Sequence, residues 1–194
     1  MTENCGIYIH TPFCGEKCHY CSFYSIPVNS DDSRIELYKT RLIEEIEERY
    51  PGPADIKADT VYFGGGTPSL LGSRGIRSIL EFIQKKFNLT DDCEITIEMN
   101  PDHLSEDNLK KLTKAGVNRI VLGVQTLNDD MRDAIGRKGK LCTEADLDLF
   151  AVFLGQLEQG RLALSEHAAA AASGIVNEIG GRLDLVGNGS EDEP

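Results

Sequence analysis

Three cysteines lie within eight residues near the start of the chain, and this cluster constrains the protein more than any other feature. Cys14, Cys18 and Cys21 follow the spacing C-x3-C-x2-C, which allows one tight loop to point all three sulfur atoms at a common centre. Thiolates bind zinc, copper(I) and iron–sulfur clusters. Closed sites of these kinds use four protein ligands. No fourth cysteine follows Cys21 nearby, and position 23 is Phe. Three ligands therefore predict a metal centre with one open coordination position.

The spacing alone leaves the kind of metal open. Zinc completed by His10, His19 or Cys5 fits the three thiols about as well as an iron–sulfur cluster does. A disulfide framework fits less well, because no secretory signal precedes the cysteines and 194 residues can fold without covalent cross-links. Cys5, Cys93 and Cys142 stand apart from the cluster, and we expect them to be small buried apolar residues.

Composition narrows the class of protein and its partners. Hydrophobic residues make up 40% of the chain, which predicts a globular rather than a disordered protein. The formal net charge of -12 argues against nucleic acid or an anionic membrane as a partner. No apolar run reaches the length of a membrane span, and six cysteines without a signal peptide predict a reducing, cytoplasmic location.

Strand-like and helical segments alternate along the first 141 residues. Strands are predicted at residues 6–10, 60–63, 94–99 and 119–124, and a helix follows each of them. The first helix, ending near residue 49, shows Ile35, Tyr38 and Leu42 at helical spacing, and Ser105 and Asn128 are expected to cap later helices. This alternation predicts βα units on a parallel sheet, as an open doubly wound sheet or as a barrel.

The chemically unusual residues all follow or end these predicted strands. The cysteines follow the first strand and the glycine run 64–66 follows the second, while Glu98 ends the third and Gln125 follows the fourth. Parallel α/β barrels carry their active sites at the C-terminal ends of their strands. The pattern therefore favours a barrel with its site at that edge.

The segment 6–13 running into the cysteines, together with Cys18-His19-Tyr20-Cys21, resembles the start of a radical SAM enzyme. Within that superfamily it looks like the branch of oxygen-independent coproporphyrinogen III oxidases and the related haem chaperones. It implies a partial (β/α) barrel and a 4Fe–4S cluster held by Cys14, Cys18 and Cys21. It also implies that the fourth iron chelates S-adenosylmethionine and cleaves it reductively to a 5′-deoxyadenosyl radical, with flavodoxin or ferredoxin as a possible reductant.

The same resemblance implies roles for eight further residues. The glycine run is not a phosphate-binding loop, because no Gly-Lys-Ser/Thr follows it, and in the family this motif binds the methionine amino group. Residues at matching positions contact the cofactor or line its site. The residues assigned to cofactor binding on this basis are Tyr8, Tyr20, Gly65, Gly66, Thr67, Glu98, Gln125 and Arg137.

Two features separate the oxidases from the chaperones. The oxidases carry a further cysteine two residues beyond the third, where this chain has Phe23, and Cys21-Ser22-Phe23-Tyr24-Ser25 is similar to the chaperone pattern except at Ser22. The chaperone branch, which binds haem and transfers it to respiratory haemoproteins, is thus the better match. Haem or a porphyrin is the partner that this resemblance implies, although the family's C-terminal haem motif His-Asn-x-x-Tyr-Trp is absent and the chain contains no Trp.

The resemblance weakens beyond residue 141. We predict a radical SAM core at 1–141, a divergent helical segment at 142–186 and a disordered acidic tail at 187–194. Asp184 lies in a stretch similar to the family's fifth strand, where an Asp binds the cofactor ribose. A shortened product would have an incomplete barrel with an exposed sheet edge, so a non-catalytic metal- or cluster-binding module is one alternative. A coproporphyrinogen III dehydrogenase is the other, against which Phe23 argues.

Overall fold

The structure is a computed structural model that describes residues 5–155, 161–165 and 183–186. Its strands are β1 (Cys5–Thr11), β2 (Phe13–Cys14), β3 (Ile26–Pro27), β4 (Lys57–Gly65), β5 (Asn88–Met99), β6 (Arg119–Leu122), β7 (Arg161–Ser165) and β8 (Leu183–Val186). Its α-helices are α1 (Ser33–Arg49), α2 (Gly72–Lys86), α3 (Glu106–Lys114), α4 (Asp129–Ala134) and α5 (Glu144–Gly155). Short 3-10 turns at Pro68–Leu71 and Pro101–His103 follow β4 and β5.

Six of the strands form one parallel sheet in the order β1-β4-β5-β6-β7-β8. The order follows the chain without the reversal that defines a doubly wound sheet, so every crossover moves in the same direction, as in a barrel wall. Among the described strands β1 and β8 are the two edges. The fold is therefore the α/β partial barrel of parallel strands that the sequence predicts.

Alternation along the strands separates a core face from an inner face. Ile9, Phe63 and Ile97 are buried and belong to the hydrophobic core formed with the helices. α2 contributes an apolar stripe to this core, with Ile76 and Ile79 fully buried. The residues between the core positions of the strands face the inside of the barrel wall, where the polar side chains lie.

The region predicted to be a helical segment, 142–186, differs from that prediction. α5 is helical, but β7 and β8 are strands. Periodicity alone does not distinguish a helix from a strand in a short apolar run. Here β7 is a strand because it pairs with β6, and β8 is a strand because it pairs with β7. β6 is consequently not an exposed edge, because it pairs with β7 from Arg119 to Leu122. The predicted tail at 187–194 lies outside the described residues.

The three cysteines outside the loop differ in burial. Cys93 and Cys142 are buried as expected, whereas Cys5 is exposed, because it is the first residue of the edge strand β1. In the described part of the chain, the helices are all too short or too polar to cross a membrane.

Candidate cofactor site

The cysteine loop is closed at its base by the short strands β2 and β3. Phe13 pairs with Ile26 and Cys14 pairs with Pro27, and the Val28 amide donates to the carbonyl of Cys14 over 2.9 Å. The loop of residues 15–25 therefore begins and ends at this small two-stranded sheet. Cys14, Cys18 and Cys21 are all half-buried free thiols, at the C-terminal end of β1.

The glycine turn after β4 packs directly on the start of this loop. The Gly66 amide donates to the carbonyl of Thr11 over 2.7 Å, and the Thr67 amide donates to the carbonyl of Phe13 over 2.6 Å. A Cβ atom at Gly66 would lie only 2.4 Å from the Phe13 carbonyl oxygen and 3.0 Å from Sγ of Cys14. The Thr67 hydroxyl lies 3.6 Å from the same sulfur. The turn and the first cysteine are thus in contact.

Arg137 ties the far side of the cysteine loop to the sheet. Its Nη1 donates to the Tyr20 hydroxyl over 3.0 Å and lies 3.9 Å from Sγ of Cys18. Its Nη2 donates to Oδ1 of Asn100 over 2.9 Å and to the carbonyl of Gly123. Burial raises the pKa of Tyr20, and the nearby guanidinium opposes that rise. One side chain therefore joins the loop to the ends of β5 and β6.

A second group of polar residues lies on β1, β4 and β5. The Tyr62 hydroxyl donates to Oε1 of Glu98 over 2.8 Å, and the Tyr8 ring stacks on the Tyr62 ring with 6.0 Å between centroids. The Tyr8 hydroxyl lies 3.1 Å from Nδ1 of His10. Burial raises the pKa of the Glu98 carboxyl, while hydrogen bonds from Tyr62 and the Gly65 amide lower it. This group places a partly buried carboxylate beside the glycine turn.

The predicted site residues therefore fall into two groups joined through the glycine turn. One contains Tyr8, Gly65 and Glu98; the other contains Tyr20 and Arg137 with the cysteines. Gln125 remains apart: within the described residues no hydrogen bond joins its side chain to the others. It is also the single non-glycine residue with positive φ in the described chain, at 69°. Such a conformation is uncommon and marks a constrained backbone.

Sequence reasoning missed several residues of the site. The pattern at 60–63 indicates only a strand, although Tyr62 is two residues from Gly64 and so lies on the same face. Asn100 has no motif of its own and directly follows the predicted strand at 94–99. His19, which the sequence offers as a zinc ligand, instead packs against Gly136, where a Cβ atom would collide with its ring. His103 has no motif, yet its Nδ1 lies 2.6 Å from the Ser69 hydroxyl and joins the turns after β4 and β5.

The cysteines fit a metal cluster by their chemistry and by their surroundings. Three thiols are the donor set that iron–sulfur clusters use, and Gly66 lets the turn after β4 lie directly beside Cys14. Within the described residues, however, no three His, Cys, Asp or Glu side chains converge closely enough to hold a metal ion.

Comparison with known proteins supports the same assignment. The profile of the Radical SAM superfamily matches residues 8–142. The heme chaperone HemW of Buchnera aphidicola is 38% identical over 132 residues, which are 68% of this chain and 35% of that protein. HemW of Bacillus subtilis is 39% identical over 136 residues, covering 69% and 35%. The chain thus spans about a third of the length of these curated relatives.

A solved structure has the same fold. Coproporphyrinogen III oxidase (HemN) from Escherichia coli, described as a radical SAM enzyme, superimposes with a TM-score of 0.76 at 25% identity, over 96% of this chain and 45% of that one. The profile match contains the cysteine loop, the glycine turn, Glu98 and Arg137. The chain therefore belongs to the radical SAM superfamily, in the branch that includes HemW and HemN.

Proposed function

We propose that this chain binds one 4Fe–4S cluster and S-adenosylmethionine, and that it acts in haem metabolism in the manner of HemW. The observation that supports the proposal is the contact between the glycine turn and Cys14, because the two motifs that the family uses for the cofactor and for the cluster lie next to each other. Cys14, Cys18 and Cys21 would hold the cluster, which when bound supplies the electron for reductive cleavage of S-adenosylmethionine.

The chain's own residues would bind and orient the nucleoside cofactor. Gly65 has φ of +106°, and a Cβ atom there would lie 2.6 Å from the His10 ring, so only glycine leaves the backbone free for a ligand to approach. The Glu98 carboxylate, beside the Gly65 amide, can accept hydrogen bonds from the ammonium or hydroxyl groups of the cofactor. Tyr8, which is 58% exposed, offers an aromatic surface at the same edge. Tyr20, Thr67, Gln125 and Arg137 are the remaining residues assigned to this site.

Anaerobic reconstitution with iron and sulfide tests the proposal. We expect about four irons per chain, with broad visible absorbance, and release of 5′-deoxyadenosine after addition of a reductant and S-adenosylmethionine. Single Ala substitutions of Cys14, Cys18 and Cys21 should abolish cluster binding. Cys5→Ala is the matched control, because Cys5 is exposed at the opposite end of β1, and it should retain the cluster. A chain that takes up one tight zinc and no iron would contradict the proposal.

Two alternative functions can be distinguished with the same reconstituted protein. The similarity to HemN favours coproporphyrinogen III oxidation, although Phe23 occupies the position of the additional cysteine. Conversion of coproporphyrinogen III by the reconstituted chain would establish that activity. A non-catalytic metal- or cluster-binding module, the other alternative, would bind metal without forming 5′-deoxyadenosine. A haem titration followed by visible absorbance tests the chaperone function directly.

A flavodoxin or ferredoxin reductant and a cytoplasmic location stay predictions from the sequence. The reductant is tested by replacing dithionite with each protein in the 5′-deoxyadenosine assay. Product formation with either protein would identify a competent electron donor for this chain.

A further inference from the structure

Tyr62 and Glu98 lie on neighbouring strands in positions that allow their side chains to meet. Phe63 of β4 pairs with Ile97 of β5, so Tyr62 comes one residue before that pair and Glu98 one residue after it. Both residues therefore face the inside of the barrel wall and are diagonal neighbours, within reach of an aromatic side chain. The observed 2.8 Å hydrogen bond from the Tyr62 hydroxyl to Oε1 of Glu98 uses this geometry.

Gly64 provides the space that the Tyr62 ring occupies. A Cβ atom at Gly64 would lie 2.7 Å from Cε1 of Tyr62 and 3.0 Å from Cε2 of Tyr8. The two rings stack over this glycine with an interplanar angle of 28°. Gly64 thus has a task different from that of Gly66, because it accommodates two aromatic side chains, whereas Gly66 lies against the backbone of the cysteine loop.

Several charged or titratable groups surround the Glu98 carboxylate. Burial raises the pKa of Glu98 most strongly, and the hydrogen bonds from Tyr62 and the Gly65 amide and the charge of His10 lower it. Burial and the Glu98 charge raise the pKa of Tyr62, so the tyrosine keeps its proton and remains the donor. The groups that face this pair are Tyr8 and His10 from β1, Gly65 from β4, and Arg119 from β6, which acts on Tyr62.

We propose that Tyr62 is a positioning residue that holds the Glu98 carboxylate, as an anion and in one orientation, beside the glycine turn. The inference rests on the proposed function, since it assumes that Glu98 contacts S-adenosylmethionine. A hydrogen bond to the ionised form of a carboxyl favours that form. The Tyr62 hydroxyl therefore offsets part of the effect of burial and keeps the carboxylate available for the cofactor at neutral pH.

The titration of Glu98 in the full chain tests this role without cofactor. Side-chain carboxyl carbons are labelled with carbon-13 in glutamate, and Glu98→Gln identifies the Glu98 signal. We expect Tyr62→Phe to move the titration midpoint of Glu98 to higher pH, because the substitution removes a donor to the ionised form. Tyr50→Phe is the matched control, since Tyr50 contacts only the Phe87 ring among the described aromatic residues and lies far along the chain from Glu98. An unchanged Glu98 midpoint in Tyr62→Phe would overturn the proposal.

Binding of S-adenosylmethionine to the reconstituted chain supplies the second measurement. Binding should weaken as pH falls through the pKa of Glu98, and in Tyr62→Phe this loss should begin at higher pH. At pH 7 we expect the dissociation constant of Tyr62→Phe to rise about 10-fold, the lower end of the effect of losing a hydrogen bond to a charged group. If the wild-type chain binds no S-adenosylmethionine, the proposed function fails, and the Glu98 titration still decides the role of Tyr62.

Gly64→Ala tests the same arrangement should Tyr62→Phe fail to fold, as judged by circular dichroism. The added methyl group displaces the Tyr62 ring from Glu98 without removing any hydroxyl group. We expect the Glu98 midpoint to move to higher pH, as in Tyr62→Phe. A Gly64→Ala chain that keeps the wild-type Glu98 midpoint would count against positioning by Tyr62.

Discussion

At the scale of single residues, the three glycines of the turn after β4 serve three different physical purposes. Gly64 leaves room for two tyrosine rings, Gly65 adopts a positive φ, and Gly66 allows the chain to touch the cysteine loop. The last contact is the tightest, because the neighbour of Gly66 is the backbone carbonyl of Phe13, which cannot move as a side chain could. The distance between the turn and Cys14 therefore depends on the absence of one methyl group.

Gly66→Ala should destabilise the protein by separating these two loops. Insertion of a methyl group into a closely packed site costs about 1–3 kcal/mol of unfolding free energy, and we expect a loss in that range by urea denaturation. Gly15→Ala is the control, because no atom lies within 4 Å of a Cβ at Gly15, and its effect should stay within about 0.5 kcal/mol. Equal stability of the two variants would contradict the packing described here.

At the scale of secondary structure, three helices begin at residues whose side chains bind the first free amides. Asp32 accepts from the Arg34 amide, Ser105 from the Asn108 amide and Asn128 from the Met131 amide. The sequence predicts the caps at Ser105 and Asn128, because such residues precede apolar positions at helical spacing. Local chemistry thus sets where these helices start.

Ser105→Ala should remove the cap of α3 and lower stability. The Ser105 hydroxyl accepts from the Asn108 amide over 3.2 Å, and loss of such a cap costs about 1 kcal/mol. Thermal denaturation followed by circular dichroism measures the change. Ser105→Asp keeps a capping oxygen and should remain close to wild type, so a loss of similar size in both variants would show that the cap is not the cause.

At the scale of the whole molecule, the sheet continues beyond the segment with recognisable motifs. β7 pairs with β6 and β8 with β7, and their register places Asp184 in the same row as Ala163 and Val121. α5 covers the core before β7, with Leu147 and Phe150 buried. The segment after residue 141 is therefore part of the same domain as far as it is described.

Phe150→Ala tests whether α5 is an integral part of this domain. Phe150 is fully buried, and loss of a buried phenyl group costs about 3–5 kcal/mol of unfolding free energy. Urea denaturation should therefore show a large drop in the midpoint. Leu37→Ala, at a residue that is 56% exposed, should change stability far less. A Phe150→Ala chain as stable as the Leu37→Ala chain would show that α5 packs loosely.

Most of the fold was predictable from local pattern, and the exceptions have identifiable causes. The first four strands of the main sheet, α1 and the caps of α3 and α4 follow from periodicity and turn residues. β7 did not, because a short apolar run fits a helix or a strand until a neighbouring strand pairs with it, and β8 was indicated only by the similarity of the stretch around Asp184 to the family's fifth strand. Cys5 was expected to be buried, but it is exposed. The exposure of a residue in an edge strand depends on whether another segment of the chain packs against that strand, which the local sequence does not reveal.

The sequence by itself determined the chemistry of the candidate site: three thiols at fixed spacing, a glycine turn and a carboxylate, each at the end of a predicted strand. Only the tertiary structure decided which of these residues touch. Arg137 reaches Tyr20 across 117 residues of chain, and Tyr62 reaches Glu98 across 36. Such contacts depend on strand register and on the space that glycines leave, which arise from packing between distant segments and leave no local signal in the sequence.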